Sequence, residues 1–495
     1  MNPTEDTLAL IKSAQLQSSD LLKSFVQPGS ATTGLQAYNL EAPSKKLFPV
    51  LTPLRNRIPR KTGGFATQAN WKAITGINST NVRAGVSEGR RGGSISHSLQ
   101  EYFAAFRGLG IENSATFEAD YAAAGFEDVK ALAATQTLQA LMIQEELVQL
   151  GGNGTVALGT TPTPTLVAAT GGSLPAGNQS VICVALGVQA YWDVAGLNNG
   201  GAGQSLNIPT AQVPGLITRT NADGTVDTFG GGSARQSAAA ALVVALNDKI
   251  TAALATPVKG AYAYAWYWGA PGAEVLGAVT TVSKVVITAA ATGTQTAASL
   301  GVLDNSTSAL EFDGILTQIA KTGSGAYYSD NGASPLTSDG SGGIEQIEDA
   351  FLSFWNLYRI SPQTIYVSAK DLVSITQLVI SGGGSPTMQV FVDVNKTTQV
   401  RAGIKIGTYL NKVTGSDLDL VVHPNMPPGT IMFWSDSVPS YLDGVSTLTR
   451  MLMRQEYYQI EWPLRTRKYE YGVYLDGVLQ CYFPPAFGVI TNVVS

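Results

Sequence analysis

The sequence predicts an α+β protein of several units with a β-rich segment inserted into it, and three observations carry that prediction. At 495 residues the chain exceeds what one hydrophobic core usually organises, and units of about 150 residues give roughly three. Residues 156–310 change abruptly in composition, with little charge, abundant Gly, Thr and Ala, and short β-favouring runs. Beyond Phe312 helical and strand patterns are mixed.

Hydrophobic residues make up 44% and aromatic ones 8%, enough apolar surface to offset chain entropy and exclude global disorder. Charged residues are only 14%, against about 25% in ordinary soluble domains. A surface with few long charged chains costs little to desolvate, which suits a subunit of a large assembly. The 31 basic and 36 acidic residues give a net charge of −5, so no general phosphate-neutralising surface is expected. Cys183 and Cys481 form no CxxC pair, and both are expected to be buried small hydrophobes. The start lacks a basic n-region and an apolar h-region, and no uncharged apolar run reaches the roughly 18 residues of a spanning helix. A protein kept in the cytosol, with no membrane partner, is the expectation.

Residues 4–26 place Leu8, Ile11, Leu22 and Phe25 among polar neighbours, a weak amphipathic helix closed by Pro28-Gly29, within an arm over 1–45. Leu47–Pro59 holds three prolines that predict an extended, non-helical entry segment. Ala69–Ile77 and Ile95–Phe103 read as two strands flanking a polar, Gly-rich stretch, Gly85–Gly93. A ribbon that long is marginal alone and is expected to lie on something else, such as a neighbouring subunit. Glu127–Leu150 is rich in helix formers and stops at Gly151-Gly152, predicting a rod of roughly 36 Å.

Within 156–310, Ser180–Leu186, Ala261–Trp268 and Val282–Thr288 read as strands of a sandwich-like domain, interrupted by a helix over Ser233–Leu254. Downstream, the patterns predict helices at Ile344–Tyr358 and Ala369–Ile380. They predict strands at Thr364–Ser368, Gln389–Val394, Leu418–Val422 and Thr430–Trp434, and a strand-rich end over Thr449–Val494.

No motif offers convincing chemistry. Gly152-Asn-Gly154 follows a helix instead of opening one, so a helix cap and turn outweighs a dinucleotide fingerprint, and no Gly-Lys dipeptide exists for a P-loop. No GxSxG is present, and His97 and His423, the only histidines, are expected to be structural. The acidic pairs Glu145/Glu146, Glu345/Glu348 and Asp417/Asp419 read as solvated faces, and Asn221–Gly224 as a hairpin turn. The run Tyr262–Trp268 alternates as a strand with one packed face, favouring core over base or sugar stacking. No catalytic residue, cofactor or metal is assigned.

An arm, an extended two-stranded loop, a long helix ending in a Gly-rich turn and a mixed α/β C-terminal half, in that order, resemble tailed-bacteriophage major capsid proteins of the Hong Kong 97 fold. The resemblance implies an N-arm (1–45), a P-domain entry segment (46–65) and an E-loop (66–106), followed by the spine helix and P-domain (107–155). It further implies an inserted β-rich domain (156–310), an A-domain with P-domain elements (311–448) and C-terminal P-domain strands (449–495). Gly152–Thr155 and Phe312–Thr317 look like two sides of one short turn. Ile365–Val373 resembles the A-domain strand-to-helix junction, His423–Ile431 a turn before another A-domain strand, and Asp476–Ile490 the returning P-domain strand.

The same resemblance implies a non-enzymatic head protein forming an icosahedral shell from hexameric and pentameric capsomers. Scaffolding, portal and decoration proteins and non-specifically held DNA are possible partners. The location would be the host cytoplasm during assembly and then the virion. Inter-subunit contacts are expected at Trp71, Glu88, Arg90 and Arg91. A secreted or tail-associated β-sandwich adhesin is the alternative, and an unrecognised hydrolase a third.

Overall fold

The structure is a computed structural model that describes residues 50–78, 83–124, 127–195, 212–382, 406–438, 445 and 447–494. The expected arm over 1–45, its helix at 4–26, and the strand at 389–394 lie outside the described residues.

Helix α1 (Pro53–Arg57) and β1 (Arg60–Thr62) lead to the pair β2 (Gln68–Asn78) and β3 (Ser96–Ala105), then β4 (Arg107–Thr116), α2 (Phe117–Ala122) and the 23-residue α3 (Val129–Gly151). Next come β5 (Thr165–Thr170), β6 (Gly177–Leu186), α4 (Val188–Val194), β7 (Leu216–Thr220), β8 (Val226–Gly230), β9 (Ala240–Val244) and β10 (Asp248–Ala253). They are followed by β11 (Ala263–Gly269), β12 (Val275–Thr280), β13 (Lys284–Ile287), α5 (Ile315–Ala320), β14 (Tyr327–Pro335), α6 (Glu345–Tyr358), β15 (Thr364–Val367) and α7 (Ala369–Gly382). The chain closes with β16 (Thr408–Leu410), β17 (Asp417–Val422), β18 (Ile431–Trp434), β19 (Thr449–Glu461), β20 (Lys468–Cys481) and β21 (Gly488–Val494). This is the α+β class that the sequence predicts.

Helix α3 starts where Asp128 Oδ1 accepts from the N–H groups of Lys130 and Ala131 at 3.1 and 3.0 Å, capping otherwise orphaned donors. Its length, roughly 34 Å, runs along a four-stranded sheet ordered β1-β19-β20-β4. A second, six-stranded sheet is mixed, in the order β14-β21-β18-β15-β17-β16. The parallel pair β15/β17 spans the crossover through α7, and Ile347, Ala350, Phe351 and Phe354 of α6 pack into the same core at helical spacing. Serial sandwich modules, the mark of an adhesin, are not the arrangement of these described residues.

Residues 156–310 build sheets that pair only among themselves: β13-β10-β5, β12-β11-β6-β9 and the hairpin β7-β8. Strand β6 alternates between two cores. Val181, Cys183 and Ala185 meet Ile250, Ala252, Val285 and Ile287 of the facing sheet, a sandwich interior. Ile182, Val184 and Leu186 point the other way, into a core that also holds Leu141, Val148, Met432 and Trp434. Trp192 Nε1 donates to Asn425 O at 2.8 Å, and Tyr262 hydroxyl to Leu316 O at 3.1 Å. The segment therefore shares a core with the rest of the chain.

Four local readings are corrected. Residues 53–57 are helical, because Pro53 sits in the first turn, where a missing N–H costs nothing, and Glu146 accepts from the N–H groups of Leu54 and Arg55. Ser233–Leu254 forms β9 and β10 instead of a helix. Asn247 at φ +67° turns the chain with Asp248 Oδ2 accepting from Ala245 N, and pairing with β6 and β5 overrides alanine's helix propensity. The aromatic strand β11 is packed on both faces, Tyr264, Trp266 and Trp268 in the sandwich core and Ala263, Ala265 and Tyr267 in the shared one. Glu145 and Glu146 are fully buried, not solvated. The Asn221–Gly224 turn and the two buried cysteines stand as expected, with Gly224 at φ +84°.

Candidate assembly surface

Strands β2 and β3 pair only with each other and form a two-stranded ribbon. Opposite residues of an antiparallel pair share a face. The register sets Ile74 against Leu99, Asn70 against Phe103 and, past a bulge at Ile74/Gly76, Ile77 against His97, so Ile74, Ile77, Leu99 and Phe103 line one face. They are 66%, 67%, 58% and 65% exposed, a cluster of a kind that isolated surface apolar residues do not make. Between them Lys72 Nζ and Glu101 Oε1 lie 3.6 Å apart, an exposed pair that fixes little.

The opposite face is fastened at the root. Trp71 stacks on Tyr102 with ring centroids 5.9 Å apart, meets Tyr482 edge-on at 6.3 Å, and donates its indole N–H to Cys481 O at 3.0 Å. Burial, aided by Cys481 and Tyr358, pushes the Tyr102 hydroxyl up to about 12, so it stays neutral. Trp71, expected among contacts between subunits, is thus used within the chain. Its partners Cys481 and Tyr482 lie some four hundred residues away in sequence, which no local signal reveals.

Glu88, Arg90 and Arg91 do sit at the far end, in a stretch over 83–95 where every residue is exposed and Arg90 N donates to Ser87 O at 3.0 Å. Among the described residues no ion pair joins these three side chains to the chain's own. The structure brings them together but leaves Trp71 at the other end. Sequence reasoning missed the four apolar residues, although two β-favouring runs with apolar residues on alternate positions were the signal that could have found them.

The ribbon hangs from a rigid base. Glu145 Oε1 and Oε2 each lie 2.5 Å from Arg60 Nη2, Arg55 Nε reaches Oε2 at 3.2 Å, and Tyr457 donates its hydroxyl to the same carboxylate. Burial works against the Arg60 guanidinium, and Glu145 and Tyr457 together more than offset it, leaving that group above its ordinary value. Glu146 Oε1 accepts from Leu54 N at 2.9 Å and from His423 Nε2 at 2.7 Å, while Asn425 N donates to His423 Nδ1 at 3.2 Å. Since Nδ1 accepts, the ring proton is on Nε2, and His423 ties the turn before β18 to α3. Residues 54–60, just before the ribbon, are tied in this way to α3, β19 and the turn before β18.

No family model matches the sequence, and no curated protein matches it. Among solved structures, the capsid of Myoviridae phage XM1 is 9% identical with a TM-score of 0.41, covering 94% of this chain and 100% of that one. The capsid of a native GTA particle is 8% identical with a TM-score of 0.42, over 93% of this chain and 96% of the other. The chain is similar to phage capsids. The mature capsid of bacteriophage PhiM1 adds a match at 9% identity and TM-score 0.36, covering 96% of this chain and 97% of that one.

Proposed function

We propose that this chain is the major capsid protein of a tailed bacteriophage, with the Hong Kong 97-type arrangement, and that its work is to assemble into the icosahedral shell around phage DNA. The apolar outward face of the β2–β3 ribbon carries this reading. A two-stranded ribbon is marginal in water, and one with four large apolar side chains turned outward needs a surface to lie on. Eleven residues of β2 give it a reach of roughly 36 Å, enough to cross onto an adjacent copy. Its divisions on this reading are the arm 1–45, entry 46–65, E-loop 66–106, spine helix and P-domain 107–155, inserted domain 156–310, A-domain 311–448 and P-domain strands 449–495.

The mechanism is geometric. The base at Glu145 and Glu146 holds the ribbon's root, the apolar face settles on a neighbour, and Glu88, Arg90 and Arg91 make salt-sensitive contacts at the tip, repeated around hexamers and pentamers. The role is structural, not catalytic. Scaffolding, portal and decoration proteins are further partners, packaged DNA is contacted non-specifically, and the chain passes from host cytoplasm to virion.

The test is electron microscopy with light scattering on the purified full chain. Wild type forms capsomers or closed shells, and Leu99→Glu with Phe103→Glu abolishes them while the unassembled subunit melts at an unchanged temperature. Arg90→Glu with Arg91→Glu lowers shell yield in a salt-dependent way. A wild-type chain that stays monomeric at high concentration overturns the reading, as does a ribbon-face variant that still builds shells at full yield.

A further inference from the structure

The sandwich built by residues 156–310 has two open ends, and its sequence protects only one of them. The outermost strand of any sheet offers unpaired N–H and C=O groups to another chain, and proteins guard such edges with charge, proline or a covering segment. At one end β12 is covered, since Leu276 N donates to Gln295 O at 2.8 Å and Gly293 N to Leu276 O at 3.1 Å, and neighbouring β13 carries the exposed Lys284. At the other end β5 and β9 lie side by side, and each pairs on one flank only, β5 with β10 and β9 with β6. Among the described residues their free flanks take no backbone hydrogen bond. No charged residue occurs in 163–174 or 236–247. Val167 and Val243 are 63% and 75% exposed there, beside the exposed Ala168, Ala169 and Ala241. A flank that is apolar, uncharged and uncovered is fitted to receive a strand.

We propose that the free flank of β5 is a pairing site for a second copy of this chain, whose own β5 runs antiparallel to it about a two-fold axis. Leu166 packs toward the sandwich core, so Thr165, Val167 and Ala169 turn outward. Opposite residues of an antiparallel pair share a face, which sets Val167 against Val167 of the second copy and Thr165 against its Ala169. The strand meets itself without setting like charges together, and every copy brings the matching flank in equal number. Because Lys284 and the segment 293–296 guard the far end, pairing closes at two copies instead of running on as an open fibre. The site involves neither strand of the β2–β3 ribbon and does not rest on the shell reading.

Sedimentation velocity on the full chain carrying Leu99→Glu and Phe103→Glu, the variant in which the ribbon builds no shells, tests the pairing by itself. That chain sediments as a dimer at high concentration. Adding Val167→Lys weakens the dimer by about tenfold or more, because two like charges then stand opposite each other, while Val286→Lys on the guarded strand leaves it intact. Cysteine trapping reads the register: opposite Cα atoms of an antiparallel pair lie within disulfide reach. Under mild oxidation Val167→Cys links two copies, Thr165→Cys alone does not, and Thr165→Cys mixed with Ala169→Cys does. The native Cys183 and Cys481 are buried and take no part. A ribbon variant that stays monomeric overturns the pairing and leaves the shell reading untouched. So does a dimer that Val167→Lys leaves unchanged or that Val286→Lys disrupts equally. Should Val167→Lys fail to fold, the trapping decides alone: Val167→Cys copies that remain unlinked overturn the proposal.

Discussion

Glu145 shows how much a single buried residue organises and how little of that a sequence displays. Its carboxylate holds Arg55, Arg60, Tyr457 and Gln149, of which only Gln149, four residues on, is a local partner. The arginines lie 90 and 85 residues before it and the tyrosine 312 after. An adjacent Glu-Glu pair on a helix looks solvated unless those partners are known, so its burial is not legible in the sequence. Replacing Glu145 by Gln keeps the shape but strands two largely buried guanidinium groups, and removing one partner of a buried ion pair costs about 3–5 kcal/mol. The urea midpoint of the E145Q chain should fall accordingly, whereas Lys72→Gln, on the exposed ribbon, should leave it within about 0.5 kcal/mol. Equal midpoints for both variants would show that the Glu145 network carries no stability.

At the scale of elements, legibility follows how local the determinants are. Helix α3 can be read because Asp128, a run of helix formers and Gly151-Gly152 all lie within it or at its ends, and α6 because its apolar residues recur at helical spacing. Strands β9 and β10 cannot, since alanine-rich sequence favours a helix until β6 and β5 offer edges to pair with. The ribbon falls between: its two strands are readable, but its fastening is not. Trp71 decides how firmly it is held. Truncating Trp71 to Ala removes two aromatic contacts and one indole hydrogen bond, worth about 2 kcal/mol together. Amide exchange in 68–78 and 96–105 of the unassembled W71A chain should speed up by about tenfold or more, with α3 unaffected. If exchange in the ribbon changes only after assembly, Trp71 acts between subunits after all.

At the scale of the whole molecule, the two faces of one sheet explain why residues 156–310 can be both a unit and a part. Sheet β12-β11-β6-β9 turns Val181, Cys183, Tyr264 and Trp266 toward its own sandwich partner, so the segment owns a core that does not depend on the body. The same strands turn Ile182, Val184, Leu186 and Tyr267 into the shared core, where α4 adds Val188 and Trp192. Ser283 N also donates to Asn492 Oδ1 at 2.7 Å, a bond to the last strand of the chain. Expressed alone, residues 156–310 should therefore give a β-rich circular-dichroism spectrum and a cooperative melt, because the sandwich interior remains. They should melt below the full chain, bind a hydrophobic dye and self-associate, because the second face is left uncovered and each large apolar side chain returned to water costs about 1.5–3 kcal/mol. The absence of a cooperative melt would sink the claim of an independent sandwich core. A monodisperse fragment that binds no dye would sink the other half, since a face that is stable in water has no need of the body beneath it.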